Sequence, residues 1–99
     1  MKLVVTPTAV AQLDRQFREG LARYGAKTAE KTFARVDRFF ANTLVAFPGA
    51  GTFDPERSLY EWYITRTPFI VVYRIEADAG IVRVLGFFHY AQDRSDFDP

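Results

Sequence analysis

His89 and Tyr90, adjacent near the end of a β-rich stretch, are the two side chains of this sequence best suited by type to moving a proton. Cleavage of RNA through its 2′-hydroxyl needs a proton acceptor, a proton donor for the leaving oxygen, and cations to stabilise the charged phosphorane. His89 could serve as acid or base and Tyr90 as a proton carrier, with Arg66, Arg74 and Arg83 as phosphate clamps. Two features weigh against that chemistry. Neighbours on a regular strand point to opposite faces, so both would reach one substrate only through a twist or bulge. A tyrosine base at neutral pH would also need strong cationic help, because a free phenol titrates at about 10. The competing reading of His89 is a strand-end histidine bonded to backbone or to Asp93.

The element that must position this pair is a hairpin. Residues 69–77 and 81–90 are rich in Val, Ile, Phe and Tyr, and Asp78-Ala79-Gly80 between them carries the turn signal. Face parity sets the expected register, because a one-residue slip exchanges the two faces. Pairing Ala77 with Val82, Ile75 with Val84, Tyr73 with Gly86, Val71 with Phe88 and Phe69 with Tyr90 gives one apolar face. The other face then pairs Glu76 with Arg83, Arg74 with Leu85, Val72 with Phe87 and Ile70 with His89. It is charged near the turn and apolar at the far end. Glu76 and Arg83 read as a cross-strand ion pair, whereas Arg74 has no evident partner.

Upstream, Lys2 to Val5 is short and β-prone, and Thr6-Pro7 supplies a helix cap and a first-turn proline. Val10, Leu13, Phe17, Leu21 and Tyr24 recur at helical spacing up to Gly25, and Ala29, Phe33, Val36, Phe40, Leu44 and Phe47 do so up to Pro48-Gly49. These predict a helical hairpin. Residues 48–58 read as a surface loop, and Tyr60, Trp62 and Ile64 alternate with polar neighbours as a half-buried strand. The expected fold is α+β over residues 1–99 as one domain: a short N-terminal strand, a helical hairpin, then a three-stranded antiparallel meander with the helices on one face. Aromatic residues make up 16% of the chain, but Phe17, Phe33, Phe40, Trp62 and Phe88 read as core rather than as base-stacking platforms.

Composition narrows the function classes. The chain has no Cys and one His, so disulfides and thiolate metal sites are excluded and a zinc site would need carboxylates; no metal or cofactor is expected. No stretch reads as a signal peptide or a bilayer span, which points to a soluble protein in a reducing cytoplasm, with no membrane partner. The net charge of +1 conceals an asymmetry: residues 1–47 carry 8 Lys/Arg against 4 Asp/Glu, and residues 48–99 carry 5 against 8. That balance is poor for a protein living on RNA or ribosomal phosphates.

Three segments, TPTAVAQLDRQFREGL, YEWYITRTPFIVVYRI and IVRVLGFFHYAQDR, stand in an order and at spacings that resemble the RelE/ParE superfamily of type II toxin–antitoxin toxins, more closely its ParE-like branch. The resemblance spans nearly the whole chain. It implies a toxin neutralised by a cognate antitoxin whose disordered segment folds across it, with apolar anchors along a groove. The open face of the hairpin, with Ile70, Val72, Arg74, Arg83, Leu85 and Phe87, is the candidate surface, the alternative being a second small core under a loop. ParE-like members are associated with poisoning DNA gyrase and RelE-like members with cutting ribosome-bound mRNA. The nuclease branch carries an Arg near the start of the strand that here reads PFIVVY, where Ile70 stands. The expectation is therefore gyrase inhibition by protein contact, with a ribosome-dependent endoribonuclease as runner-up and a non-toxic binding module derived from the family as a third class. Weak candidates for the gyrase surface are Arg15, Arg18, Lys31, Arg35 and Arg38 on the helical hairpin, and the tail from Gln92 to Pro99.

Overall fold

A computed structural model describes residues 1–99. Strand β1 (Lys2–Val5) leads into helix α1 (Pro7–Tyr24), where the Thr6 hydroxyl accepts from the Ala9 amide at 3.2 Å and Pro7 occupies the first turn. Gly25, at φ +87°, breaks the helix and its amide donates to the Leu21 carbonyl. Helix α2 (Ala26–Arg38) follows directly and then widens into a π-helical turn over Phe39–Leu44, which turns Phe39, Phe40 and Leu44 into the core. The helical hairpin is present as expected, with corrections to both of its inner stripes, Phe47 of the second being exposed. Val10, Leu21 and Tyr24 are exposed, and α1 packs instead through Ala9, Leu13 and Phe17. The spacing marked a face correctly but about one residue too far round, because the small Ala9 was passed over for the larger Val10.

Five strands form the sheet in the order β1-β5-β4-β3-β2. The meander β3 (Leu59–Tyr63), β4 (Phe69–Glu76) and β5 (Ile81–His89) is antiparallel as expected. The N-terminal strand β1 lies parallel to β5 with Lys2 opposite Ile81. An additional short strand, β2 (Thr52–Asp54), lies within the stretch read as loop and pairs with β3. Three residues inside a Gly/Pro-rich segment are too few for alternation to show.

The helices cover one face and enclose the main core, which includes Val36, Leu44, Ile64, Val71, Tyr73, Val82, Val84 and Phe87. A second, smaller core of Leu59, Val72, Leu85 and Phe88 lies on the opposite face under Phe97 of the C-terminal tail. Phe97 packs edge-on against Phe88 at 4.9 Å, and Arg94 anchors the tail to Glu61 at 3.0 Å. The open face is thus in part the second small core that was the alternative to a groove.

The hairpin register differs from expectation in a way that decides the site. Beside the turn, Glu76 pairs with Ile81, Ile75 with Val82, Arg74 with Arg83 and Tyr73 with Val84. The connection spans four residues, 77–80, with Gly80 in the left-handed region at φ +67°. This shift of two keeps every side chain on its expected face. Past Tyr73 the pairing slips by one, so that Val72 meets Gly86, Val71 meets Phe87, Ile70 meets Phe88 and Phe69 meets His89. Leu85 is the extra residue of this bulge. Everything beyond it changes face: Phe87 and His89 move to the helix side and Phe88 to the open side. Gly86 allows the irregularity, since a Cβ there would stand 2.6 Å from the Phe88 ring and 2.9 Å from Phe97.

Candidate functional site

The bulge delivers His89 to the side of the sheet covered by α1. Two hollows of about 400 and 460 Å³ meet there, sharing Gln16, Glu19, Arg23 and His89 along their common wall. The larger is lined mainly by polar side chains, with Phe87 and Ala91 in its wall, and the smaller runs between the two helices toward Phe33, Phe69 and Tyr90. Strand β5 ends at His89, so Tyr90 is free of the strand's alternation. The two rings stack at 4.9 Å and 22°, and face parity no longer separates them.

Geometry assigns His89 a local structural task. Its Nδ1 accepts from the Ala91 amide at 3.1 Å, which leaves the proton of the neutral ring on Nε2, and its own amide donates to Gln92 Oε1 at 3.4 Å. The partner is backbone, as in the plainer of the two expectations. Asp93 instead accepts from Ser95 at 2.9 Å, a bond that holds its carboxyl below the usual range.

The expected phosphate clamps are not gathered around this pair. Arg74 and Arg83 face each other across β4 and β5 near the turn, six residues along the strand from His89, or roughly 20 Å. Arg83 grips Glu76 through two bonds, Nε to Oε2 at 2.5 Å and Nη2 to Oε1 at 3.1 Å. The hydrogen bonds from Arg83 lower the Glu76 carboxyl, with a smaller contribution from the charge of Arg74. Arg74 makes no ion pair or hydrogen bond of its own, as expected, and only its charge is felt at this carboxylate. Arg66 lines a different hollow, and the cations that do line the two hollows at His89 are Arg23, on their common wall, and Arg15, in the larger one and paired with Glu19. Arg23 escaped the sequence reading, although Gln12, Gln16, Glu19 and Arg23 follow one another at spacings of four, three and four, which marks a polar stripe on α1. Gln12 uses that position to accept from the Phe87 amide at 2.8 Å, beyond the point where β1 has ended and left β5 without a neighbour.

The apolar candidates divide. Phe87 is a correction: the bulge turns it into the main core against Phe33 and Phe69, where it is 1% exposed. Val72 and Leu85 remain on the open face but are buried beneath the tail. Ile70 stays half-buried on that face beside Glu61 and Tyr63.

On the helical hairpin, Arg15 and Arg18 are engaged by Glu19 and Asp14 one turn away, and Lys31 is exposed. Arg35 and Arg38 have no carboxylate partner. They share a hollow with Arg66, which sits at φ +66°, a conformation that costs a residue with a Cβ about 1–2 kcal/mol. The buried Thr67 imposes it: its hydroxyl donates to the Ile64 carbonyl at 2.8 Å and accepts from the Phe69 amide at 3.1 Å, closing a tight loop with Arg66 near its apex.

Residues 3–94 match the family model described as ParE toxin of type II toxin–antitoxin system, parDE. The chain belongs to the ParE toxin family. Among solved structures, this ParE-family chain is similar to one described as the chromosomal ParDE TA system from P. aeruginosa. That similarity has 23% identity and a TM-score of 0.74, and covers 90% of this chain and 95% of that one. The fold is thus shared well beyond the level at which the sequences agree. Comparison with curated proteins gave no match. No helix of this ParE-family chain is long and apolar enough to cross a membrane.

Proposed function

We propose that this ParE-family toxin inhibits DNA gyrase by protein contact, in the bacterial cytoplasm, and is neutralised by a cognate antitoxin. The observation that carries the reading is the family match over residues 3–94, taken with the scattering of the nuclease parts: the His89–Tyr90 pair lacks Arg66, Arg74 and Arg83 around it. Catalysis on a phosphodiester needs its cations placed where the charge develops, and one missing donor costs about 3–4 kcal/mol of transition-state stabilisation.

For the antitoxin we retain the open face of the sheet, with Ile70, Arg74 and Arg83 as the accessible contacts. Val72 and Leu85 join them only if Phe97 lifts away, so an antitoxin segment that uses the apolar anchors must replace the tail's own aromatic ring.

The second reading, a ribosome-dependent mRNA endoribonuclease, keeps one observation in its favour: the rings of His89 and Tyr90 stack in a groove that Arg23 also lines. Purified protein assayed in parallel on gyrase supercoiling and on ribosome-bound mRNA separates the two. Inhibited supercoiling with intact mRNA is the expected result, and cleaved mRNA with untouched gyrase overturns it. Finding a small antitoxin-like reading frame beside the gene, and loss of toxicity when its product is co-expressed, tests the antitoxin.

A further inference from the structure

Four of the protein's arginines, Arg15, Arg18, Arg83 and Arg94, are held by carboxylates. Arg35, Arg38 and Arg66 are not, and they converge on one hollow between the end of α2 and the β3–β4 loop whose lining contains no Asp or Glu. Like charges gathered without counter-charge repel one another, and the arrangement is relieved by an anionic ligand. Two backbone features aim the cations. The π-helical turn starts immediately after Arg38, and such turns frequently mark functional sites. Arg66 keeps a left-handed conformation that favours glycine, so its guanidinium is presented at the expense of local backbone comfort. Asn42, Thr43 and Thr65 add neutral donors on the same walls.

We propose that this groove binds the phosphate backbone of duplex DNA, an inference that stands independently of the gyrase reading. Guanidinium groups pair two-pronged with phosphate oxygens, and hydroxyl and amide donors supplement such contacts without reading sequence. A single strand would require free aromatic faces for its bases. Trp62, the indole in the groove, is instead half-buried against the main core, with Phe39 perpendicular to it at 5.0 Å, which leaves the backbone of a duplex as the matching ligand.

The test is fluorescence anisotropy of a labelled 20-base-pair duplex titrated with the intact protein between 50 and 200 mM salt. Three phosphate contacts predict that affinity falls about 40-fold over this range. Arg38→Ala and Arg66→Gly each remove one contact and should reduce the fall to about 12-fold. Lys27→Ala, outside the groove, should leave it at about 40-fold. Arg66→Gly is the decisive variant, because glycine suits the backbone there: thermal stability should be kept or raised while the salt dependence drops, which separates lost binding from lost fold. The proposal is overturned by an unchanged slope in both arginine variants, by no binding at 50 mM salt, or by tighter binding of single-stranded RNA or of polyglutamate than of the duplex.

Discussion

Removing the hydroxyl of Tyr73 should weaken the fold at neutral pH and strengthen it, relative to the parent, in alkali. The ring is fully buried, stacks on Tyr60 at 5.3 Å and 14°, and its hydroxyl donates to the Pro48 carbonyl at 2.5 Å, tying the sheet to the loop that follows the helices. Burial, with a smaller push from Tyr60, raises the phenol to about 12 against an ordinary value of 10.0. Between these values the unfolded chain has released a proton that the folded chain still holds, so stability declines as pH rises through the interval. Two pH units correspond to about 2.7 kcal/mol, fully present below pH 10 and gone by about 12. Tyr73→Phe should therefore lose about 1 kcal/mol at pH 8, where the Pro48 carbonyl is left without its donor, yet show a shallower alkaline decline by up to about 2–3 kcal/mol. Urea titrations of both proteins at intervals from pH 8 to 12 measure the difference. Parallel curves for parent and variant would refute the assignment of the alkaline transition to this buried phenol.

Three further outcomes follow from the same geometry. His89→Ala and Tyr90→Phe should leave growth arrest intact on controlled expression, whereas an acid–base nuclease would lose roughly 100-fold or more in each. Phe97→Ala should cost about 1–2 kcal/mol in urea denaturation and raise binding of a hydrophobic dye, since it uncovers Leu85 and Phe88; Gly86→Ala should reproduce that uncovering by pushing the Phe97 ring aside. Glu76 contributes through its depressed carboxyl, present above the ordinary carboxylate range and lost as pH falls through the lowered value, so Glu76→Gln should flatten the acid limb of stability as followed by circular dichroism.

The sequence made the helical hairpin, the meander and their layering legible because each rests on local signals: Thr6-Pro7 at one helix start, Gly25 between the helices, alternation at Tyr60 and Trp62. The ion pair of Glu76 with Arg83 was legible too, since a register shift of two preserves faces and brings the two onto a diagonal. The bulge at Leu85 was not. It depends on Gly86 receiving the ring of Phe88 from two residues on in the same strand and that of Phe97 from the tail beyond it, and no periodicity within β5 encodes that contact. From that one inserted residue came the misplacement of Phe87, Phe88 and His89. The basic groove was half visible. Arg35 and Arg38 stood out as exposed cations on α2, but nothing in the sequence brings Arg66 to them: the Thr67 bonds that close its loop are local, whereas the placement of that loop beside α2 is set by tertiary packing.

The parallel pairing of β1 with β5 has a consequence for how the chain is made. Lys2 and Ile81 are partners about 80 residues apart, so β1 waits for β5. Helix α1 likewise rests on β5, through the bond from the Phe87 amide to Gln12. A nascent chain stopped before residue 81 lacks both the neighbour of its opening strand and the wall behind its first helix. The fold therefore closes only once β5 has been made, and that strand, rather than β1, sets the moment at which a functional surface first exists.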